Sequence, residues 1–117
     1  MGKQLFHLRR QSVYNAAMAA EASTAKKFLI GRNTACDLLL THRTVSNHHA
    51  EIVFTETGRI WLVDRGSSNG TYLMVDGKAS RIEREIVEPE DVVRFGSFAV
   101  PVHEIIEALV AKHGPLI

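Results

Sequence analysis

RTVSNHHAEIVF, residues 43–54, changes character halfway along. Its second half alternates: Ala50, Ile52 and Phe54 fall on one side of an extended chain, Glu51, Val53 and Thr55 on the other. A period of two is the mark of a half-buried β-strand, because successive side chains of a strand point to opposite faces. Its first half sets Ser46, Asn47, His48 and His49 at the entrance to that strand. Such a cluster is a nucleophile with its base, a metal site, or a loop that binds something without reacting with it.

Working outward from this strand, the flanking sequence repeats the same grammar. KFLIG and CDLLL are short apolar runs on its N-terminal side. On its C-terminal side ETGR is a turn, IWLVD a partner strand, RGSSNG a polar glycine loop and TYLMV another strand. Asp76-Gly77 is a strong hairpin signal, EPED a further turn, and VVRFG and SFAVPV follow it. Many short strands punctuated by turns predict an all-β sandwich rather than a sheet with crossover helices. The C-terminal end departs from this pattern. After Pro101, the spacing of Val102, Ile105, Ile106, Leu109 and Val110 predicts one amphipathic helix over 101–113, stopped by Gly114-Pro115. Residues 14–25 are alanine-rich, with helix propensity but a weak apolar stripe, and Leu5–Leu8 reads as a possible first strand. The chain is thus expected to form one domain, with a leading segment over 1–26, a sandwich core over 27–100 and the helix over 101–113.

Composition narrows the function. The 117 residues are 45% hydrophobic and 23% charged, as in a folded globular domain. Fourteen basic side chains against 13 acidic ones give a formal charge of +1. This provides no broad field toward nucleic acid or an anionic membrane, so any anion site must be local. The single cysteine, Cys36, precludes a disulfide within the chain and a thiolate metal cluster. No apolar run reaches the length of a signal-peptide core or a membrane span, so a cytoplasmic location is expected.

Three polar segments lie at strand ends: GRNTACD, HRTVSNHH and DRGSSNGT. Loops at one end of a sandwich can converge on one patch. That patch would offer the Arg32 guanidinium, the hydroxyls of Ser46 and Ser68, the amides of Asn47 and Asn69, and backbone N–H groups around Gly70. It is rich in hydrogen-bond donors and poor in carboxylates. Such an inventory suits an anion with several acceptor oxygens, above all a phosphate monoester of about −1.5 to −2 charge.

The order of these motifs resembles the forkhead-associated (FHA) domain. The matching residues are Gly31-Arg32, Ser46-Asn47-His48-His49 followed by AEI, Asp64 ahead of its loop, and Ser68-Asn69-Gly70-Thr71. EPEDVVRFG is similar to the closing motif of the family, with Glu90 in place of a glycine, and the likeness spans residues 27–98. The resemblance implies a β-sandwich of two twisted sheets with about eleven strands, antiparallel or mixed, that binds phosphothreonine peptides. It implies that Arg32 and Ser46 bind the phosphate, with Asn47 and Ser68 at positions that also contact phosphate or peptide. It implies that Asn69 holds the peptide main chain, and that Gly31 and His49 support the site. Gly70 is expected to turn the chain where a β-carbon would be strained.

The function expected on this basis is a signalling adaptor for a partner phosphorylated by a serine/threonine kinase, with no enzymatic activity, cofactor, metal, nucleic acid or membrane. Specificity is expected from loops around Thr34–Asp37, Thr41–Val45 and Met74–Lys78. Two other readings remain open: a phosphate-independent interaction or dimerisation module using the sandwich face or the C-terminal helix, and, more distantly, a hydrolase using Ser46 and His49. The hydrolase lacks a G-x-S-x-G elbow. A metal site at His42, His48 and His49 is disfavoured because neighbouring strand residues point to opposite faces. Trp61, Phe54 and Phe95 are expected in the core.

Overall fold

The computed structural model describes residues 25–116. Nine strands and one helix follow in chain order: β1 (Lys26–Gly31), β2 (Leu38–Leu39), β3 (Ala50–Phe54), β4 (Ile60–Asp64), β5 (Thr71–Val75), β6 (Lys78–Ile82), β7 (Arg84–Val87), β8 (Val92–Phe95), β9 (Phe98–Pro101) and α1 (Val102–His113). They form a five-stranded sheet in the order β2-β1-β3-β4-β7 and a four-stranded sheet in the order β6-β5-β8-β9. All pairings are antiparallel except β1 with β2, which makes the first sheet mixed. The family resemblance implies about eleven strands, and nine lie within the described residues. The readings of Leu5–Leu8 as a strand and of 14–25 as a helical segment fall, but for Ala25, outside that range.

Alternation fixes what each sheet buries. Ala50, Ile52 and Phe54 of β3 and Ile60 and Leu62 of β4 face Leu73, Val75, Val93 and Phe95 of the other sheet in one core. Phe54 and Phe95 are core residues, as expected. Trp61 is fully buried too, but it pairs with Val53 on the opposite face of its sheet, because it alternates with Ile60 and Leu62. The parity of a strand, not the size of a side chain, decides which face it takes.

Two features explain where the chain exceeds a simple hairpin. The β5–β6 turn closes at Val75 and Lys78 through Asp76 and Gly77, both in the left-handed region (φ 51° and 79°), which the two-residue Asp-Gly turn requires. The chain then changes sheets within a single residue, Glu83: β6 pairs with β5, whereas β7 pairs with β4. The segment between the Asp-Gly turn and the EPED turn thus contributes one strand to each sheet.

Helix α1 closes the open side between the sheets. It starts after extended Pro101, stops at Gly114 (φ 81°), and buries Val102, Ile105 and Leu109. Lys112 Nζ donates to the Asp37 carbonyl at 3.1 Å, and Asp37 Oδ2 accepts the Leu29 N–H at 2.8 Å, which ties helix, β1 and the β1–β2 loop together. No helix among the described residues is long and apolar enough to cross a membrane.

Candidate functional site

Three loops meet at one end of the sandwich because backbone bonds lock them edge to edge. The Arg32 N–H donates to the Ser46 carbonyl at 3.0 Å and the Asn33 N–H to the Asn47 carbonyl at 3.2 Å. This approach sets the identity of residue 31. A β-carbon on Gly31 would stand 2.1 Å from the Asn47 carbonyl oxygen, so glycine is needed there for space, not for a turn conformation. Cys36 fills the volume below, buried, with its Sγ–H on the Asn47 carbonyl at 3.2 Å, and burial pushes its thiol pKa up.

His49 is the pin between the second and third loops. Its ring is fully buried, edge-on to Phe95 at 5.6 Å. Nδ1 accepts the Ser46 N–H at 3.0 Å, and Nε2 donates to the Gly70 carbonyl at 2.9 Å. These partners select the neutral imidazole with its proton on Nε2. Burial pulls the pKa below the ordinary histidine value, against the opposing influence of the Gly70 carbonyl and the Asp64 charge. Both ring nitrogens are therefore committed to backbone groups, and neither is directed at the Ser46 hydroxyl as a general base would be.

The SSNG loop is built on Asp64. Its Oδ1 accepts the Ser67 hydroxyl at 2.5 Å and the Thr71 hydroxyl at 2.7 Å. Its Oδ2 accepts the N–H groups of Gly66 and Ser67 at 2.9 and 3.1 Å. Burial alone would raise the pKa of this carboxyl, yet the bonds from Ser67, Thr71 and Gly66 hold it below the ordinary value. Ser67 Oγ in turn accepts the Gly70 N–H at 3.0 Å, and Gly70 sits at φ 86°, the conformation that favours glycine. Ser67 was not singled out in the sequence. The signal was an aspartate two residues ahead of a glycine and three ahead of a serine, the pattern of a side chain capping its own turn.

Above this frame lies an open cleft of about 230 Å³ lined by Arg32, Arg43, Thr44, Val45, Ser46, Asn47, Ser68 and Asn69. All five residues expected to contact the ligand, Arg32, Ser46, Asn47, Ser68 and Asn69, are brought together. Gly31, His49 and Gly70 do not line it and belong to the frame of backbone bonds beneath. Ser46 Oγ accepts the Ser68 N–H at 3.1 Å, and Asn69 Nδ2 donates to the Thr44 carbonyl at 2.9 Å, so the two rims are stitched across the cleft. No carboxylate lines it, whereas two guanidinium groups do. Arg43 and Thr44 belong to the loop expected to set specificity, but the other two loops named for that role do not line the cleft. The Met74–Lys78 turn sits at the far end of β5, on the order of 15–20 Å from Gly70 at about 3.3 Å per residue. Among the described residues no group of three or more His, Cys, Asp or Glu is placed to hold a metal.

Comparison with known proteins agrees with this geometry. The family model of the FHA domain matches residues 28–96, more than half of the chain. The chain belongs to the FHA domain family. Members of this family are binding modules rather than enzymes. An FHA domain solved in a study of phosphothreonine-dependent FHA interactions is 25% identical, with a TM-score of 0.57 over 64% of this chain and 73% of that one. The N-terminal FHA domain of Saccharomyces cerevisiae Rad53p, solved with a phosphothreonine peptide, is 31% identical, with a TM-score of 0.52 over 63% of this chain and 62% of that one. An Arabidopsis thaliana homolog of the protein phosphatase 1 regulatory inhibitor subunit PPP1R8 is 37% identical over 49 residues, 41% of this chain. The match spans 13% of that curated relative.

Proposed function

We propose that this FHA domain binds a phosphothreonine-containing segment of a partner protein and so recruits a product of a serine/threonine kinase. One observation carries this reading: the loop cleft presents the Arg32 guanidinium, the Ser46 and Ser68 hydroxyls and the Asn47 and Asn69 amides with no carboxylate among them. Arg32 would hold two phosphate oxygens with its planar fork, a geometry that lysine does not offer. Ser46 and Ser68 would add hydroxyl donors, and Asn47 an amide. Asn69 already spends one N–H on the Thr44 carbonyl, which leaves its Oδ1 to accept a main-chain N–H of an extended peptide. His49 and Gly70 act from behind, by holding Ser46 and the SSNG loop in place.

The test is a fluorescence-anisotropy titration of a peptide library in matched phosphothreonine, phosphoserine and unphosphorylated forms against wild type, Arg32→Ala and Arg32→Lys. Charge-assisted bonds of this kind are worth about 1.5–3 kcal/mol each, so Arg32→Ala should weaken phosphothreonine binding about tenfold or more. Arg32→Lys should recover only part of it. Equal binding of phosphorylated and unphosphorylated forms by all three proteins would overturn the proposal in favour of a phosphate-independent interaction module.

A further inference from the structure

Asn69, at the edge of the cleft, is joined to the outer surface of the four-stranded sheet. The Tyr72 hydroxyl donates to the Asn69 carbonyl at 3.0 Å, and a β-carbon on Gly70 would stand 2.9 Å from that hydroxyl and 3.1 Å from Arg81 Nε. Tyr72 pairs with Arg81 of β6 on one side and with Arg94 of β8 on the other. The Arg94 guanidinium lies 4.4 Å above the Tyr72 ring, and its Nε–H donates to the Gly96 carbonyl at 2.9 Å. Gly96 itself donates its N–H to Gly70. A row of arginine, tyrosine and arginine thus crosses three strands at their cleft end and joins the rim of the binding loop directly.

This row faces away from the core. Ile82, Leu73, Val93 and Phe95 point inward, so Arg81, Tyr72 and Arg94, their neighbours in the chain, point outward. The other outward positions of the sheet, Ala79, Met74, Val92, Ala99 and Pro101, carry no charge, so none of its strand residues on this side opposes the arginines. The five-stranded sheet differs: its outer side includes Glu51, which sits 3.8 Å from Arg65. Arg81 is exposed and engages no described carboxylate.

We infer that the phosphopeptide flank leaving the cleft at Asn69 continues over Arg81, Tyr72 and Arg94, and that this row reads a second anionic group on the ligand, a carboxylate or a second phosphate. The inference rests on the phosphothreonine reading of the cleft. Strands lie about 4.8 Å apart and an extended chain rises about 3.3 Å per residue. The second anion therefore stands about two to four residues from the peptide residue whose main chain Asn69 holds.

A phosphothreonine peptide library with glutamine flanks is titrated with one flanking glutamine at a time changed to glutamate, and in a parallel series to phosphoserine. Wild type should prefer the anion at one position or at adjacent positions on one side, and the two series tell carboxylate from phosphate. Arg81→Gln should erase about two- to fivefold of that preference, the range of an exposed ion pair, while affinity for the all-glutamine phosphopeptide stays within about twofold. Arg94→Gln should act in the same direction, with thermal unfolding as its check because Arg94 also packs on Tyr72. Absence of any positional preference in wild type would overturn the inference, as would an Arg81→Gln effect that is equal on neutral and anionic peptides. Failure of wild type to bind any phosphothreonine peptide would instead remove the reading of the cleft, and the inference with it.

Discussion

Replacing His49 with alanine tests the link between burial, charge state and site geometry. The substitution removes the acceptor of the Ser46 N–H and one donor to the Gly70 carbonyl, while that carbonyl keeps the Gly96 N–H. Stranding a buried polar group costs about 1–3 kcal/mol, here charged mainly to Ser46. Deleting a fully buried ring packed on Phe95 adds about 2–3 kcal/mol for lost contacts and the cavity left behind. The expected loss is about 3–6 kcal/mol, a large share of the roughly 5–15 kcal/mol of a typical domain. Urea unfolding at neutral pH, followed by the fluorescence of the buried Trp61, measures it. His49→Gln, whose amide offers one acceptor and one donor, should lose less. Acid adds a second arm. Because the folded pKa of His49 lies below 6.5, the unfolded chain takes up its proton first as the pH falls. The stability that neutral His49 contributes is complete above about pH 6.5 and is lost as the pH drops through the folded pKa. The gap between wild type and His49→Ala should therefore narrow from pH 7.5 to 5. A cost under about 1 kcal/mol, or a gap that does not change with pH, would refute the tautomer and the pinning role derived from it.

Other expectations follow from single contacts. Gly31→Ala drives a β-carbon into the Asn47 carbonyl, so it should lower the unfolding midpoint by the equivalent of about 1–3 kcal/mol and weaken phosphopeptide binding by displacing the Ser46 loop; a well-folded variant with unchanged affinity would contradict the close approach. Leu109→Ala, at a fully buried helix position, should cost about 2–5 kcal/mol in urea unfolding while leaving the affinity of the molecules that remain folded unchanged, since α1 packs away from the cleft.

The strand alternation of Ala50–Phe54, the Asp76-Gly77 hairpin and the apolar stripe of the C-terminal helix were all legible in the sequence. Each is a local rule: a period of two, a left-handed turn, a period of 3.6. The meeting of Arg32, Ser46, Asn47, Ser68 and Asn69 in one cleft was legible for another reason, since their separated motifs stand in the order that resembles the FHA family. Pairing between distant strands was not legible. The change of sheets at Glu83 and the parity that sends Trp61 to the outer face depend on which strand lies beside which, and a strand carries no label for its neighbour. The role of Gly31 was hidden for the same reason: what excludes a side chain is a carbonyl 16 positions away in the sequence, at Asn47. So was the row of Arg81, Tyr72 and Arg94, three residues unremarkable in the chain that become one surface only when β6, β5 and β8 lie side by side. The strands, the helix and the donor-rich chemistry of the loops are written in consecutive residues, so they can be read along the chain. Which groups stand together is set by pairing between strands far apart in the chain, and no local preference encodes those distances.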